Sequence, residues 1–307
     1  MTKKHPTNLA ASVHARLLNA ARAQQRPFHE LLQYYAMERM LFRLSVSQHR
    51  DQFVLKGALM LRLWGGPDTR STKDIDLLGR STATVDELVL IIRECLGVSV
   101  PPDGLDFDSA SVGGVPIRRD ARYLGVRITL KAALGGAAIV LQIDVGFGDV
   151  ITPSAQPITY PPLLDFPAPE LQGYTPETSI AEKLEAMVTL DIGNSRMKDF
   201  FDIALLARTR TFDAALLAQA IGATFRRRGT PLPSTLPVGL SAEFAGASGK
   251  AQQWAGFLRK LRVADARTLG QIIDEVRAFL WPLVEALVAN REARGCWSPG
   301  GPWSVDG

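Results

Sequence analysis

The sequence predicts an α+β protein in which a lobe with a mixed β-sheet is followed by a C-terminal helical lobe. Two observations support this prediction. Residues 122–147 alternate apolar and polar side chains on either side of the Gly135-Gly136 turn, which predicts a β-hairpin. From Thr175 onward the apolar positions recur at helical spacing. We therefore expect a sheet domain at residues 1–165, which begins with two helices, and a helical domain at residues 166–307.

The individual elements follow from periodicity and from Gly and Pro positions. Helices are predicted at residues 7–24, 58–64, 196–208, 212–227, 250–262 and 268–292, the last with a kink at Pro282. Three more are predicted: one with Pro27 at its first position that ends near Ser47–Arg50, one from Thr82 or Thr84 through Cys95, and one from Thr175 that ends before Gly193-Asn194. Strands are predicted at residues 53–56, 74–78, 122–132, 138–147 and 158–160. Residues 97–121 are predicted to form loops or edge strands and residues 229–249 a loop, and the tail from Gly295 is expected to be loose.

Composition excludes several classes of protein. The 307 residues are 46% hydrophobic and 21% charged, which is typical of a soluble globular chain. Cys95 and Cys296 are the two cysteines and lie far apart, so zinc sites and disulfide frameworks are not expected. No apolar run of membrane-spanning length occurs, which predicts a cytoplasmic protein without membrane contact. The net charge of +4 is compatible with an anionic partner such as a nucleotide or RNA.

Asp74 and Asp76 form the first candidate site. They are two residues apart on a predicted strand, so both carboxylates point to the same face. Two carboxylates this close repel each other unless a cation lies between them. Hard oxygen ligands from a few protein groups suit Mg²⁺ that also binds phosphates. The pair predicts a metal-dependent phosphoryl- or nucleotidyl-transfer site.

Asp144 is the third candidate acid, because it faces away from the apolar row of its strand. If the two strands pair, all three carboxylates converge and could hold two metals. Asp74 capping a turn and Asp144 pairing with an arginine is the structural alternative. The turn Lys56-Gly57-Ala58 at a helix start adds backbone N–H groups that could bind phosphate.

Lys183 and Lys198-Asp199 form a second candidate group. Lys183 lies at the border of an apolar helix face, where it could reach a triphosphate or simply extend to solvent. Asp199 and Asp202 are predicted to share a helix face. Glu182 and Glu185 are expected to face solvent.

Together these segments resemble the AbiEii/MenT-type nucleotidyltransferase toxins of bacterial toxin–antitoxin and phage-abortive systems. The matching blocks, in chain order, are FVLKGA from Phe53, RSTKDIDL from Arg70, IDVGFGD from Ile143, IAEKLEA from Ile180 and RMKDFFDI from Arg196. They span residues 53–203, and it is their order and combination that is specific.

The resemblance implies a DNA-polymerase-β-like lobe, a helical lobe and a nucleotide in the cleft between them. It implies that Asp74 and Asp76 are metal ligands for Mg²⁺, with Mn²⁺ as a substitute, and that Asp144 is the third acid. Lys183 and Asp199 would be further catalytic residues. The nucleotide-binding positions implied are Lys56, Gly57, Ala58, Arg70, Thr72 and Lys198.

The resemblance also implies transfer of nucleotides from an NTP to RNA, in particular to the tRNA 3′ end, a block of translation, and a cognate antitoxin. One alternative is an enzyme that transfers nucleotides to a small molecule or a protein. The other alternative is a non-catalytic nucleotide-binding protein. Ala58 departs from the Gly-Ser or Gly-Gly turn common in nucleotidyltransferases, so a contact that requires a serine hydroxyl is missing.

Overall fold

The computed structural model describes residues 8–64, 70–120, 123–261 and 267–304. The segment Gly65-Gly66-Pro67-Asp68, whose composition predicts a break after the helix at residues 58–64, lies outside this part of the chain. The α-helices are α1 (Leu9–Ala23), α2 (Phe28–Ser45), α3 (Ala58–Trp64), α4 (Val85–Leu96), α5 (Pro176–Leu190), α6 (Met197–Thr209), α7 (Ala214–Arg228), α8 (Ala242–Gly246), α9 (Lys250–Leu261) and α10 (Leu269–Val288). The strands are β1 (Phe53–Lys56), β2 (Asp74–Gly79), β3 (Leu105–Asp120), β4 (Tyr123–Leu134), β5 (Ala137–Phe147), β6 (Gln156–Thr159), β7 (Glu170–Gly173), β8 (Phe212–Asp213), β9 (Cys296–Trp297) and β10 (Trp303–Ser304).

A seven-stranded mixed sheet has the order β3-β4-β5-β2-β1-β7-β6. Strands β2 and β5 are parallel neighbours, as are β1 and β7, whereas the remaining pairs are antiparallel. The β4–β5 hairpin turns at Gly135, whose φ of 59° is readily adopted only by glycine. The α+β prediction with a mixed sheet is therefore confirmed.

The chain divides into two units, each made of several segments. The first comprises residues 1–59, 71–148 and 156–173 and contains the large sheet with α1, α2 and α4. Alternation along β2 and β5 buries Ile75, Leu77, Ile143 and Val145.

The second unit comprises residues 60–70, 149–155 and 174–307 and contains α5 to α10. Thr175 caps α5 by accepting a hydrogen bond from the Thr178 N–H, and Pro176 occupies the first helical position, as predicted. The apolar stripes of these helices are buried around fully covered residues such as Phe200 and Phe279.

Residues 105–120 form one long edge strand, β3, which is one of the two alternatives predicted for residues 97–121. Pairing with β4 along one side compensates for Gly113, Gly114 and an irregularity after Asp108.

Two local predictions are wrong. Pro27 is the residue before α2, not its first residue. The tail is ordered through residue 304, since Trp297 and Trp303 pack on Phe279 in a small sheet with β8.

Among the helices of the described residues, none combines the length and apolar character that crossing a membrane would require.

Candidate active site

Asp74, Asp76 and Asp144 form an acidic cluster in the first unit. Each offers a carboxylate oxygen, and these oxygens all lie within 4.8 Å of one another. The convergence follows from register: β2 and β5 are parallel, and Asp76 stands directly opposite Asp144. The predicted convergence of the three acids is thus what the sheet produces. Their roles as metal ligands and catalysts remain predictions.

Arg127 extends this arrangement across the hairpin. It is the β4 partner of Asp144, so Asp76, Asp144 and Arg127 form one row across three adjacent strands. Its Nε donates to Asp144 Oδ1 and its Nη2 to Asp144 Oδ2, each at 2.9 Å. The Asp144 side chain is 5% exposed and that of Arg127 is 39% exposed. The pairing of Asp144 with an arginine, which the sequence left as an alternative, therefore coexists with the acidic cluster.

Gly57 brings the backbone of the β1–α3 turn against Asp76. Its φ is +74°, and a Cβ built on it would lie 2.7 Å from the Asp76 Cβ. Carbon atoms in contact are normally about 3.5–4.0 Å apart, so only glycine fits. Lys56, which precedes Gly57 and is 5% exposed, is the β1 partner of Asp76. Ala58, 4% exposed, begins α3.

The segment before β2 is held from two sides. The Thr72 N–H donates to the Tyr34 hydroxyl of α2 at 3.1 Å, and the Thr72 hydroxyl donates to Asp74 Oδ1. Thr72 is buried, so its hydroxyl holds the Asp74 carboxylate in a defined orientation. Thr72 also belongs to the predicted nucleotide-binding residues.

A second group, the ionic cluster, lies in the second unit and consists of Arg70, Lys183, Arg196, Asp199 and Asp202. Arg70 donates to both oxygens of Asp202, at 2.7 and 3.0 Å. Lys183 Nζ lies 3.1 Å from Asp199 Oδ1 and 2.8 Å from Asp202 Oδ2. Arg196 Nε lies 2.7 Å from Asp199 Oδ2. Both acids are fully buried on one face of α6, as their spacing predicts.

The opposite charges in the ionic cluster favour the ionised forms of Asp202 and Lys183. Burial opposes ionisation of Asp202, but the charges of Arg70 and Lys183 outweigh it and lower the Asp202 pKa. Burial likewise disfavours the Lys183 ammonium, yet Asp199 and Asp202 raise its pKa. Three cations, Arg70, Lys183 and Arg196, therefore surround the two buried carboxylates.

Lys198 lies next to this cluster and is exposed. Desolvation of its ammonium, together with the positive charge of Arg70, lowers the pKa of Lys198. An ammonium repelled by neighbouring cations gains most from an added anion, which agrees with the predicted phosphate contact.

Arg228, at the end of α7, anchors α5, the helix that carries Lys183. Its guanidinium lies 2.7 Å from Glu185 Oε2, 3.1 Å from Asp149 Oδ1 and 3.6 Å from Glu182 Oε2. Glu185 is 5% exposed, so the expectation that it faces solvent is wrong. Its burial is possible because Arg228 compensates the charge.

The donor set of the acidic cluster fits a divalent metal ion. Carboxylate oxygens are the ligands preferred by Mg²⁺ and Mn²⁺, and three lie close enough to share a cation. Apposed acids that are held by strand register would repel one another less with a cation between them.

A mixed sheet with three clustered carboxylates is an arrangement that could hold a divalent metal ion. Residues 39–288 match the family described as nucleotidyl transferase AbiEii toxin, type IV toxin–antitoxin system. The chain belongs to this family, which confirms the resemblance and identifies a nucleotidyltransferase with a toxin–antitoxin context. Membership implies a nucleotide substrate and an antitoxin partner.

Two solved structures from Helicobacter pylori are similar to this chain. The first, described as a candidate nucleotidyltransferase, is 17% identical to this chain with a TM-score of 0.43. The match covers 85% of this chain and 96% of the Helicobacter pylori chain. The protein JHP933 shares 16% identity with a TM-score of 0.41, covering 92% of this chain and 98% of its own. The comparison with curated proteins gives no significant match.

Sequence reasoning missed Arg127, which contacts the candidate residue Asp144, and Arg228, which anchors the helix that carries Lys183. Arg127 lies on the polar side of its strand, as alternation indicates, but its partner depends on the hairpin register. Arg228 follows Arg226 and Arg227 in a basic run, where nothing in the pattern distinguishes it from its neighbours.

Proposed function

We propose that this protein is a nucleotidyltransferase toxin that transfers nucleotides from an NTP to RNA, with the tRNA 3′ end as acceptor, and thereby blocks translation. Family membership supports the transferase and the toxin. The observation that carries the chemistry is the convergence of Asp74, Asp76 and Asp144 within 4.8 Å.

In the proposed reaction, a hydroxyl oxygen of the acceptor attacks the α-phosphorus and pyrophosphate leaves. A new P–O bond forms as the bond from the α-phosphorus to the bridging oxygen breaks. Asp76 or Asp144 assists removal of the hydroxyl proton. Mg²⁺, held by Asp74 and Asp76 with Asp144 beside them, would stabilise the charge on the α-phosphate and the leaving group.

The ionic cluster is proposed to bind the triphosphate. Lys183 supplies a charge that Asp199 and Asp202 keep in place, while Lys198 supplies a second ammonium whose desolvation an anion would offset. Arg70, which pairs with Asp202, is proposed to add a further positive charge to the ionic cluster's binding of the triphosphate.

The test is label transfer with the full-length protein. Purified protein is incubated with Mg²⁺, total tRNA and each α-labelled NTP separately. The wild type is compared with Asp76→Asn and with Asp106→Asn, which makes the same change at an exposed position on β3. We expect labelled tRNA from the wild type and Asp106→Asn, and a loss of at least about 100-fold in Asp76→Asn.

Absence of labelled RNA with every NTP would contradict the RNA acceptor, and label in a small molecule or in protein would replace it. Equal labelling by Asp76→Asn would contradict the site. The toxin role is tested by expression in cells: growth should slow with the wild type and not with Asp76→Asn, and equal growth would remove the toxin assignment alone.

A further inference from the structure

We propose that the charge of Arg127 lowers the affinity of the acidic cluster for a divalent cation. Its guanidinium forms a two-pronged ion pair with Asp144, so a bound cation must share the third carboxylate with a positive charge. The inference rests on the proposed function for the metal site, and it concerns a residue outside the predicted active-site set.

Backbone pairing fixes Asp144 from both sides, with Asp76 opposite it on β2 and Arg127 opposite it on β4. Directly opposed residues share a face of the sheet, so the guanidinium and the Asp76 carboxylate approach Asp144 from opposite sides.

Arg127 places one N–H on each oxygen of Asp144, at 2.9 Å in both cases. A carboxylate has about four acceptor sites, so this pair does not by itself exclude a metal ion, and Asp144 still offers an oxygen within 4.8 Å of those of Asp74 and Asp76. Gln142, in the amide orientation that satisfies its contacts, accepts from Arg127 Nε at 3.2 Å and Nη2 at 3.3 Å and holds the fork in place. Arg127 thus shares Asp144 with a cation and does not block it.

Three clustered carboxylates attract a divalent cation strongly, and the positive charge of Arg127 offsets one of their negative charges. The Arg127 side chain is 39% exposed, so solvent screens its repulsion of a nearby cation only in part. Removing the guanidinium charge should tighten cation binding, whereas removing a structural support alone would weaken it. The direction of the change separates the two explanations.

The test is Mn²⁺ binding to the full-length protein without nucleotide, measured by the electron paramagnetic resonance signal of free Mn²⁺. Arg127→Gln and Arg127→Met both remove the charge, and Met covers the sheet with an apolar chain of similar length. Arg127→Lys keeps the charge and loses the fork. Asp76→Asn removes a proposed ligand.

We expect Arg127→Gln and Arg127→Met to bind Mn²⁺ about tenfold more tightly than the wild type, a difference of about 1.4 kcal/mol. Arg127→Lys should stay within about threefold of the wild type. As an independent readout, saturating Mn²⁺ should raise the melting temperature of Arg127→Gln more than that of the wild type.

Each other result overturns the inference. Unchanged or weaker Mn²⁺ binding in both neutral variants, with binding still lost in Asp76→Asn, would overturn the role of Arg127 and leave the metal site intact. Mn²⁺ binding that is absent from the wild type, or that does not depend on Asp76, would overturn the metal site of the proposed function as well. Two neutral variants are used so that misfolding of one leaves the other to decide.

Discussion

Replacement of Gly57 by alanine should destabilise the protein and displace Asp76. The new methyl carbon would lie 2.7 Å from both the Cβ and the Cγ of Asp76, about 1 Å inside normal contact. Rotation about χ1 cannot move the Asp76 Cβ, since the β2 backbone fixes it. The clash must therefore be relieved by movement of the β1–α3 turn or of β2.

The expected cost combines two terms. An alanine held at a φ of +74° costs about 1 kcal/mol, and overpacking typically costs a further 1–3 kcal/mol. The sum is about 2–4 kcal/mol. With an m-value of about 2 kcal/mol per M of urea, the unfolding midpoint should fall by about 1–2 M.

The assay is urea unfolding followed by circular dichroism, with Gly136→Ala as the matched control. Gly136 lies in the β4–β5 hairpin, where a Cβ would meet nothing within 4 Å. We expect its midpoint to stay within about 0.25 M of the wild type, which corresponds to about 0.5 kcal/mol. Equal midpoints for Gly57→Ala and Gly136→Ala would refute the close approach of this turn to Asp76.

Three further predictions concern the second unit. Asp202→Asn should lower the free energy of unfolding at pH 7 by about 3–5 kcal/mol, because Arg70 would face a neutral amide. In urea titrations this loss of stability should be largest above pH 3.8. It should shrink as the pH falls through the lowered folded-state pKa of Asp202. A pH-independent deficit would contradict this. Arg228→Met should cost a similar amount in thermal or urea unfolding, with exposed Arg226→Met near neutral, and equal effects would refute the anchoring of α5. Lys198→Met should weaken NTP binding about tenfold, as measured by calorimetry. In the wild type the NTP affinity should decline as the pH rises towards the Lys198 pKa, which is below 10.5, and it should decline less steeply in Lys198→Arg. Identical pH profiles for the two proteins would remove Lys198 from the site.

Much of the acidic cluster was predictable from sequence, for a physical reason. Strand alternation is local, so it assigned Asp74, Asp76 and Asp144 to polar faces without knowledge of the fold. The spacing of Asp199 and Asp202 likewise fixed their common helix face, and Lys183 lies between them.

What could not be predicted depends on register and packing between distant segments. Arg127 meets Asp144 because of the hairpin register, and Glu185 is buried because α7 brings Arg228 to it. The length of β3 follows from pairing with β4, which outweighs its Gly and Pro content. The sequence shows a glycine in the turn after β1, but its close approach to Asp76 arises from the pairing of β1 with β2.

Nucleotidyl transfer to RNA is the central claim, and the position of the label in the NTP tests it most directly. The wild type is incubated with tRNA and Mg²⁺ and with one NTP, labelled at the α-phosphate in one reaction and at the γ-phosphate in the other. Attack at the α-phosphorus predicts label in tRNA from the α-labelled NTP only, with the γ-label recovered in pyrophosphate. Transfer of the γ-label to tRNA, or no transfer of either, would contradict the account.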